Sequence, residues 1–224
     1  MTELVDLTWP LVDGLTTYPG GGRVALLPKW DHGWSGPRYE PPSTGTAERI
    51  IVIDEHVGTH MDAPFHFIAS GRTIDEIRVE EAVGSAIVFK FADKDPNSRV
   101  TTSMVQSYLE QRGLTIEPGD FALFNLWSGP KEDPGRHTVG AIDVDLAQWL
   151  VEQGVRLVGL DLASVDQGTG RSFPAHVALL GADVLIVENL VNMASLPESR
   201  VEFFAPPLPL VGGTGSPVRA LARF

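Results

Sequence analysis

The sequence predicts an α/β fold, a mixed sheet with flanking helices. Three observations carry this expectation: short β-branched or apolar runs of strand length, helical patterns between them in the C-terminal half, and no linker-like stretch anywhere in 224 residues. Strands alternating with helices imply layers with some parallel pairing. The unbroken composition implies one domain over residues 1–224.

Each element has a local reason. A short strand is expected at Glu3 to Leu7. From there to about Pro42 the chain is rich in Gly and Pro, with turns at Pro19-Gly20-Gly21-Gly22 and Gly33 to Pro37. Trp9, Tyr18, Trp30, Trp34 and Tyr39 make this segment aromatic, so an ordered loop is expected, packed on the core or walling a pocket. Ala47 to Asp54 and Gly84 to Phe91 carry β-branched or apolar runs and read as strands. In Thr101 to Arg112, Met104, Val105, Tyr108 and Leu109 fall at helical spacing, with Gly113 as the stop. Phe121 to Leu126 reads as a buried strand after the Pro118-Gly119-Asp120 turn. Asp143 to Gln153 is a helix with Leu146, Trp149 and Leu150 on one face, ended by Gly154. Arg156 to Leu162 is a strand, Ala175 to Leu180 a short helix and Val184 to Glu188 a strand.

Composition excludes several classes. There is no cysteine, so a bound metal would need imidazole and carboxylate ligands, which suit zinc, manganese or iron. The formal charge of −12 repels phosphate backbones and argues against nucleic acid as a partner. The opening MTELVDLTWPLVDG shows neither a basic n-region nor an apolar run, and the apolar stretches are too short to span a bilayer. The expectation is a cytoplasmic protein with a small-molecule substrate and no membrane partner.

Three of the six histidines fall within eleven residues, His56 to His66, in the run HVGTHMDAPFH. On a helix His56 and His60 would share a face, but Gly58, β-branched Thr59 and Pro64 oppose a helix. A straight strand would spread His56 and Asp62 over about 20 Å, too far for one ion. The backbone is therefore expected to curl, at Gly58 and at Ala63-Pro64. Catalytic divalent sites recruit further ligands from elsewhere, and His176 and Glu188 are the candidates. Glu188 lies in the apolar run VLIVEN, where an unpaired carboxylate is costly to bury and a neighbouring cation would offset the cost. Its bland alternative is a strand end meeting water or an arginine.

These residues resemble the HxGTHxDxPxH signature of the cyclase family, which includes bacterial kynurenine formamidases and isatin hydrolases. The likeness extends to Asp6-Leu7-Thr8, Tyr18-Pro19-Gly20, Phe173-Pro174-Ala175-His176, Val187-Glu188-Asn189-Leu190 and Gly215-Ser216-Pro217-Val218-Arg219-Ala220. It implies a swivelling β/β/α fold, usually assembled as a homodimer or homotetramer. His56, His60, Asp62, His176 and Glu188 would then hold one or two divalent ions, zinc or manganese, with Asp62 and Glu188 as bridging carboxylates. His66 would be the catalytic acid/base. The implied activity is metal-dependent hydrolysis of a small aromatic or cyclic amide at a C–N bond other than a peptide bond. Metal-dependent cyclisation or dehydration of a small carbonyl compound stays open, because Lewis-acid polarisation of a carbonyl serves both. Phe124-Asn125-Leu126-Trp127 and Gly21-Gly22 depart from what kynurenine formamidases commonly carry, which leaves the substrate open.

Other polar residues have readings of their own. Asp161 is a candidate to orient a metal-bound histidine, while Asp166 reads as a helix or turn cap. Thr59 is expected to hold the turn, and Gln167, beside Gly168 and Gly170, to touch substrate. Phe65 and Phe67 would keep His66 dry, and Trp30, Trp34 and Trp127 would suit an aromatic substrate. His32 and His137 read as solvated loop histidines, Glu80-Glu81 as a solvated face, and Gly212-Gly213-Thr214-Gly215 as a turn, since it lacks the lysine of a phosphate loop.

Overall fold

A computed structural model describes residues 3–166 and 171–224; Gln167, Gly168 and Gly170 lie outside the described residues. In chain order the strands are β1 (Leu4–Asp6), β2 (Ala25–Trp30), β3 (Glu48–Val52), β4 (His60–Asp62), β5 (Val83–Lys90) and β6 (Phe121–Asn125). They continue with β7 (Leu157–Leu160), β8 (Leu185–Glu188), β9 (Arg200–Phe204), β10 (Gly215–Pro217) and β11 (Leu221–Arg223). The helices are α1 (His32–Ser35), α2 (Thr102–Arg112), α3 (Val144–Glu152) and α4 (Pro174–Gly181).

Nine of these strands form one sheet, in the order β1-β11-β9-β5-β6-β7-β8-β4-β10. The centre, β5 to β8, is parallel. Its crossovers carry α2, α3 and α4, as the alternating sequence pattern requires. Both flanks are antiparallel: β9, β11 and β1 on one side, β4 and β10 on the other. The sheet curls until its flanks meet. Trp9 N–H, just past β1, donates to Thr59 Oγ1, just before β4, at 2.8 Å.

The period of two along each central strand divides the core. Ile87, Phe89, Ala122 and Phe124 pack toward the helices with Val105, Leu146 and Leu179. Ala86, Val88, Phe121 and Leu123 face the other way, against Met61, Val201 and Phe203 inside the curl. The expected helices form as read: Thr101 caps α2, Gly113 ends it at φ 62°, and Asp143 caps α3. The expected strands form as well, each within a few residues of its expected bounds.

The segment before Pro42 is more regular than its Gly and Pro content suggests. β2 pairs with β3 in a separate hairpin whose β3 residues are all exposed. Trp30 stacks on Trp34 of α1, with ring centroids 5.8 Å apart. No helix among the described residues is long and apolar enough to cross a membrane.

One surface expectation is overturned. Glu81 is not simply solvated. It accepts from Arg72 at 2.9 and 3.2 Å and from Arg78, while Arg72 also reaches Asp183 in the turn before β8. This cluster ties the chain after His66 to the turn that precedes Glu188. Burial alone would raise the Glu81 carboxyl, but the bonds from Arg72 and Arg78 hold it at about 2, against an ordinary 4.5. A depressed carboxylate stabilises the fold fully above its unfolded pKa, and that contribution is lost as pH falls through the folded value. Replacing Glu81 with Gln is therefore expected to cost about 1.5–3 kcal/mol near neutral pH. In urea titrations the gap to wild type should narrow between pH 4.5 and 2; a gap that persists unchanged at pH 2 contradicts this account.

Candidate metal centre

The parallel strands β7 and β8 end on the same edge, and the loops that follow them meet the curled segment 55–66 there. Gly58, at φ 72°, turns the chain into β4; an added Cβ would also stand 2.8 Å from the Leu11 side chain. Thr59 fixes this turn by donating to Asn189 O at 2.7 Å, the structural role read for it. β4 is only three residues long, and its antiparallel register sets His60 directly opposite Glu188 of β8. His60 and Asp62 are two residues apart and so share one face of the strand. After Ala63, a 3-10 turn over Pro64–His66 brings His66 back over the same face. The two expected bends are both present.

Asp62, His60, His176 and Glu188 are each 4% exposed or less. His60 Nε2 lies 3.3 Å from Asp62 Oδ1 and 3.6 Å from Glu188 Oε2. His176 Nε2 lies 3.3 Å from Glu188 Oε1 and 3.7 Å from Asp62 Oδ2. His56 Nδ1 is 2.8 Å from Asp62 Oδ1. Two donors bound tetrahedrally to zinc stand about 3.3 Å apart, so these separations fit ligands of a shared cation. One atom makes the case sharper: Asp62 Oδ2 is buried and has no hydrogen-bond partner among the described residues. A buried carboxylate oxygen left unpartnered costs free energy that a cation would offset. The donor set, imidazole and carboxylate without thiolate, suits zinc or manganese.

The histidine tautomers agree with this use. His60 Nδ1–H donates to Gly58 O at 2.9 Å, which leaves Nε2 facing the carboxylates. His176 Nδ1 bonds Asp166 Oδ2 at 2.7 Å, again aiming Nε2 inward. Burial alone would lower both histidines. Asp62, Glu188 and Gly58 instead raise His60 to about 9, and Asp166, Glu188 and Asp62 raise His176 to about 10. Asp62 is held well below the usual carboxylate range, burial being outweighed by His56 and His60. The cluster is thus a field that draws positive charge, whether proton or metal.

His66 differs. Its ring stacks on His56 at 3.9 Å, meets Phe67 edge-on at 4.6 Å, and its side chain makes no hydrogen bond among the described residues. Burial pushes it down to about 4, against the pull of Asp62, so it is neutral at pH 7. Its ring lines a cavity of about 270 Å³ with His56, His60, His176 and Glu188. The aromatic walls are Phe67, Phe173 and Tyr18. Phe173, at φ 45°, is in the left-handed region that side chains rarely adopt, and this strained turn starts α4. Gly22 reaches the rim because an added Cβ would stand 2.3 Å from the Asp54 side chain.

The structure brings the five candidate donor residues and His66 together, and several neighbours are reassigned. Asp161 touches no histidine; it accepts from Leu126 N, Trp127 N and Asn125 Nδ2, holding the loop after β6. Asp166 does what was expected of Asp161 and is also the expected cap, accepting from the N–H groups of Ala175 and His176 at 3.0 Å each. Phe173 has no side chain able to cap α4, so Asp166 supplies the cap from outside the helix. Trp30, Trp34 and Trp127 do not line the cavity. Trp127 instead donates its indole N–H to Pro130 O. Phe65 is exposed, leaving Phe67 alone to dry His66. His32 is exposed as expected, but His137 is partly covered, with Nδ1 buried and unpartnered. Tyr18 lines the cavity as one of the aromatics expected to wall a pocket, while Phe173 was marked only by its place in the Phe173-Pro174-Ala175-His176 likeness.

The model of the family described as putative cyclase matches residues 5–167, and the chain belongs to that family. It is 31% identical over 223 residues to a kynurenine formamidase of Geobacillus thermodenitrificans, covering 100% of this chain and 98% of that protein. An isatin hydrolase bound to the product analogue thioisatinate shares the fold, with a TM-score of 0.84 at 22% identity over 100% of this chain and 92% of that one. A protein of Bacillus stearothermophilus described as a predicted metal-dependent hydrolase superposes with a TM-score of 0.76 at 26% identity, covering 100% and 98%.

Replacing Asp166 with Ala removes the cap of α4 and the acceptor that orients His176. The expected cost is about 1–3 kcal/mol in denaturant unfolding. A variant as stable as wild type would contradict the assigned role.

Proposed function

We propose that this chain hydrolyses a small aromatic or cyclic amide, using a divalent cation held by His56, His60, Asp62, His176 and Glu188. Its class is that of a metal-dependent hydrolase acting on C–N bonds other than peptide bonds, in line with the kynurenine formamidases and isatin hydrolases it is similar to. The observation that carries the reading is the unpartnered, buried Asp62 Oδ2 among imidazole nitrogens at ligand spacing. Asp62 stands among the donors, with His56 and His60 near Oδ1 and His176 near Oδ2, while Glu188 approaches both His60 and His176. These residues would hold one or two divalent ions.

When bound, zinc or manganese supplies Lewis-acid polarisation of the carbonyl and lowers the pKa of water. The protein supplies the rest. His66, neutral and free of hydrogen bonds, accepts a proton from the attacking water at a ring nitrogen. As the C–N bond breaks, it returns that proton to the leaving nitrogen, giving a carboxylic acid and an amine. Phe67 and Phe173, their rings tilted 49° to each other, form an apolar wall that favours an aromatic or ring-shaped substrate and excludes bulk water. The cavity, at about 270 Å³, limits that substrate to small molecules.

Purified protein should contain zinc or manganese by elemental analysis and turn over an aryl formamide such as N-formylkynurenine or a cyclic amide such as isatin. Turnover should vanish on chelation and return with the metal, and the product should carry the elements of water. His66→Ala is expected to lower kcat by about 10²–10⁴ while keeping the metal. Undiminished kcat in that variant would remove His66 from the chemistry, and a metal-free, inactive wild type would remove the proposal.

A further inference from the structure

The Gly212-Gly213-Thr214-Gly215 run, which reads in sequence as a plain turn, leads into β10 and wraps the one donor histidine whose orientation is still unexplained. β10 pairs with β4 so that Gly215 lies opposite Asp62, and Ala63 N–H donates to Thr214 O at 2.9 Å. Thr214 is thereby held beside His56. Its Oγ1 is 2.8 Å from His56 Nε2 and 2.6 Å from Glu55 Oε2. Glu55 Oε2 also accepts the Thr214 backbone N–H at 2.9 Å.

Proton counting then decides the tautomer. A threonine hydroxyl has one hydrogen and two lone pairs. The Glu55 carboxylate can only accept, so the Thr214 hydrogen is committed to it. Oε2 already accepts the Thr214 backbone N–H, which marks it as an acceptor for the hydroxyl as well. What Thr214 Oγ1 offers His56 is therefore a lone pair, which requires Nε2–H on the imidazole. That leaves Nδ1, 2.8 Å from Asp62 Oδ1, as the nitrogen that meets the carboxylate. At that distance a positive charge must lie between the two: a proton on Nδ1, as in an imidazolium, or the cation that takes its place.

The glycines fit the same purpose. A Cβ on Gly215 would stand 2.6 Å from His56 Cε1 and 3.0 Å from Nδ1, and one on Gly213 would stand 3.0 Å from Glu55 Oε1. The run is shaped to admit the imidazole and the carboxylate together.

We infer that Glu55 and Thr214 are positioning residues that fix His56 as an Nδ1 donor to the cation, whereas His60 and His176 present Nε2. The inference rests on the metal-centre reading above. It also gives the unassigned glycine run a purpose: the run delivers one hydroxyl and makes room for one ring.

The test uses the full chain and zinc alone. Apparent zinc affinity is measured by competition with a chromophoric chelator for wild type, Thr214→Val, Thr214→Ser and Glu55→Gln, with circular dichroism and melting temperature confirming folding. Thr214→Val keeps the shape and removes the hydroxyl. It is expected to weaken zinc binding about 10–100-fold, the usual effect of losing a partner that orients a ligand. Thr214→Ser, which restores the hydroxyl, should recover most of that loss, and Glu55→Gln should fall between. Long-range ¹H–¹⁵N spectra of the zinc-loaded wild type, with His56→Gln for assignment, should show the His56 proton on Nε2 and the zinc-induced shift on Nδ1. Should Thr214→Val fail to fold, the serine variant and the wild-type spectra still decide. A proton on Nδ1 of zinc-loaded His56, or valine and serine variants that both bind zinc like wild type, overturns the inference while leaving the metal centre intact. A wild type that binds no zinc or manganese overturns the metal centre and this inference with it.

Discussion

Two carboxylates buried at one end of a sheet set the terms for everything around them. Asp62 and Glu188 are 1% and 4% exposed, and ionised groups so placed cost several kcal/mol each unless they are matched by positive charge and hydrogen bonds. One Glu188 oxygen is partly met by the N–H of Val165 at 2.9 Å. Asp62 Oδ2 has no hydrogen-bond partner among the described residues. Three imidazoles converge on the pair, and two of them are rotated by Gly58 O and Asp166 so that their Nε2 atoms face the acids. The arrangement is intelligible as a receptacle for a cation and costly as anything else.

Topology makes that convergence possible. β4 alone is too short to hold its place, but it is clamped between β8 and β10. Because β4 runs against β8, residues distant in sequence become direct neighbours: His60 faces Glu188. The parallel centre delivers β7 and β8 to the same edge, so the loop after β7 can bring Asp166 to α4 and His176. The antiparallel flanks then curl, and Leu7, Met61, Val201 and Phe203 fill the space inside. The helix-covered core and the curled core are separate clusters.

Much of this was legible in the residues. Strands and helices of the centre follow from runs and periodicity long enough to read, as in Phe121–Asn125 and Val144–Glu152. The donors were legible because histidines and acids crowd into His56 to His66, and because Glu188 interrupts an apolar strand. Three-residue strands such as β4, β10 and β11 show no period, so pairing alone defines them. β2 was hidden by Pro28. β9 does alternate, Val201 and Phe203 buried between less buried neighbours, and its pattern is readable in retrospect. Asp161 and Asp166 are five residues apart in one loop, and only the path of that loop decides which reaches His176. The pocket walls were misplaced for a similar reason: tryptophan is the bulkier aromatic, but Phe67 and Phe173 flank the ligands in sequence. Thr214 was obscure because its partner His56 is far away along the chain.

Metal-edge anomalous diffraction from crystals grown with zinc or manganese tests the central claim most directly, since it locates the ion without reference to activity. The account predicts anomalous density between Asp62 and Glu188, within coordinating distance of nitrogens from His60 and His176. Density absent from that space in a metal-saturated crystal, with the five side chains in place, would contradict it.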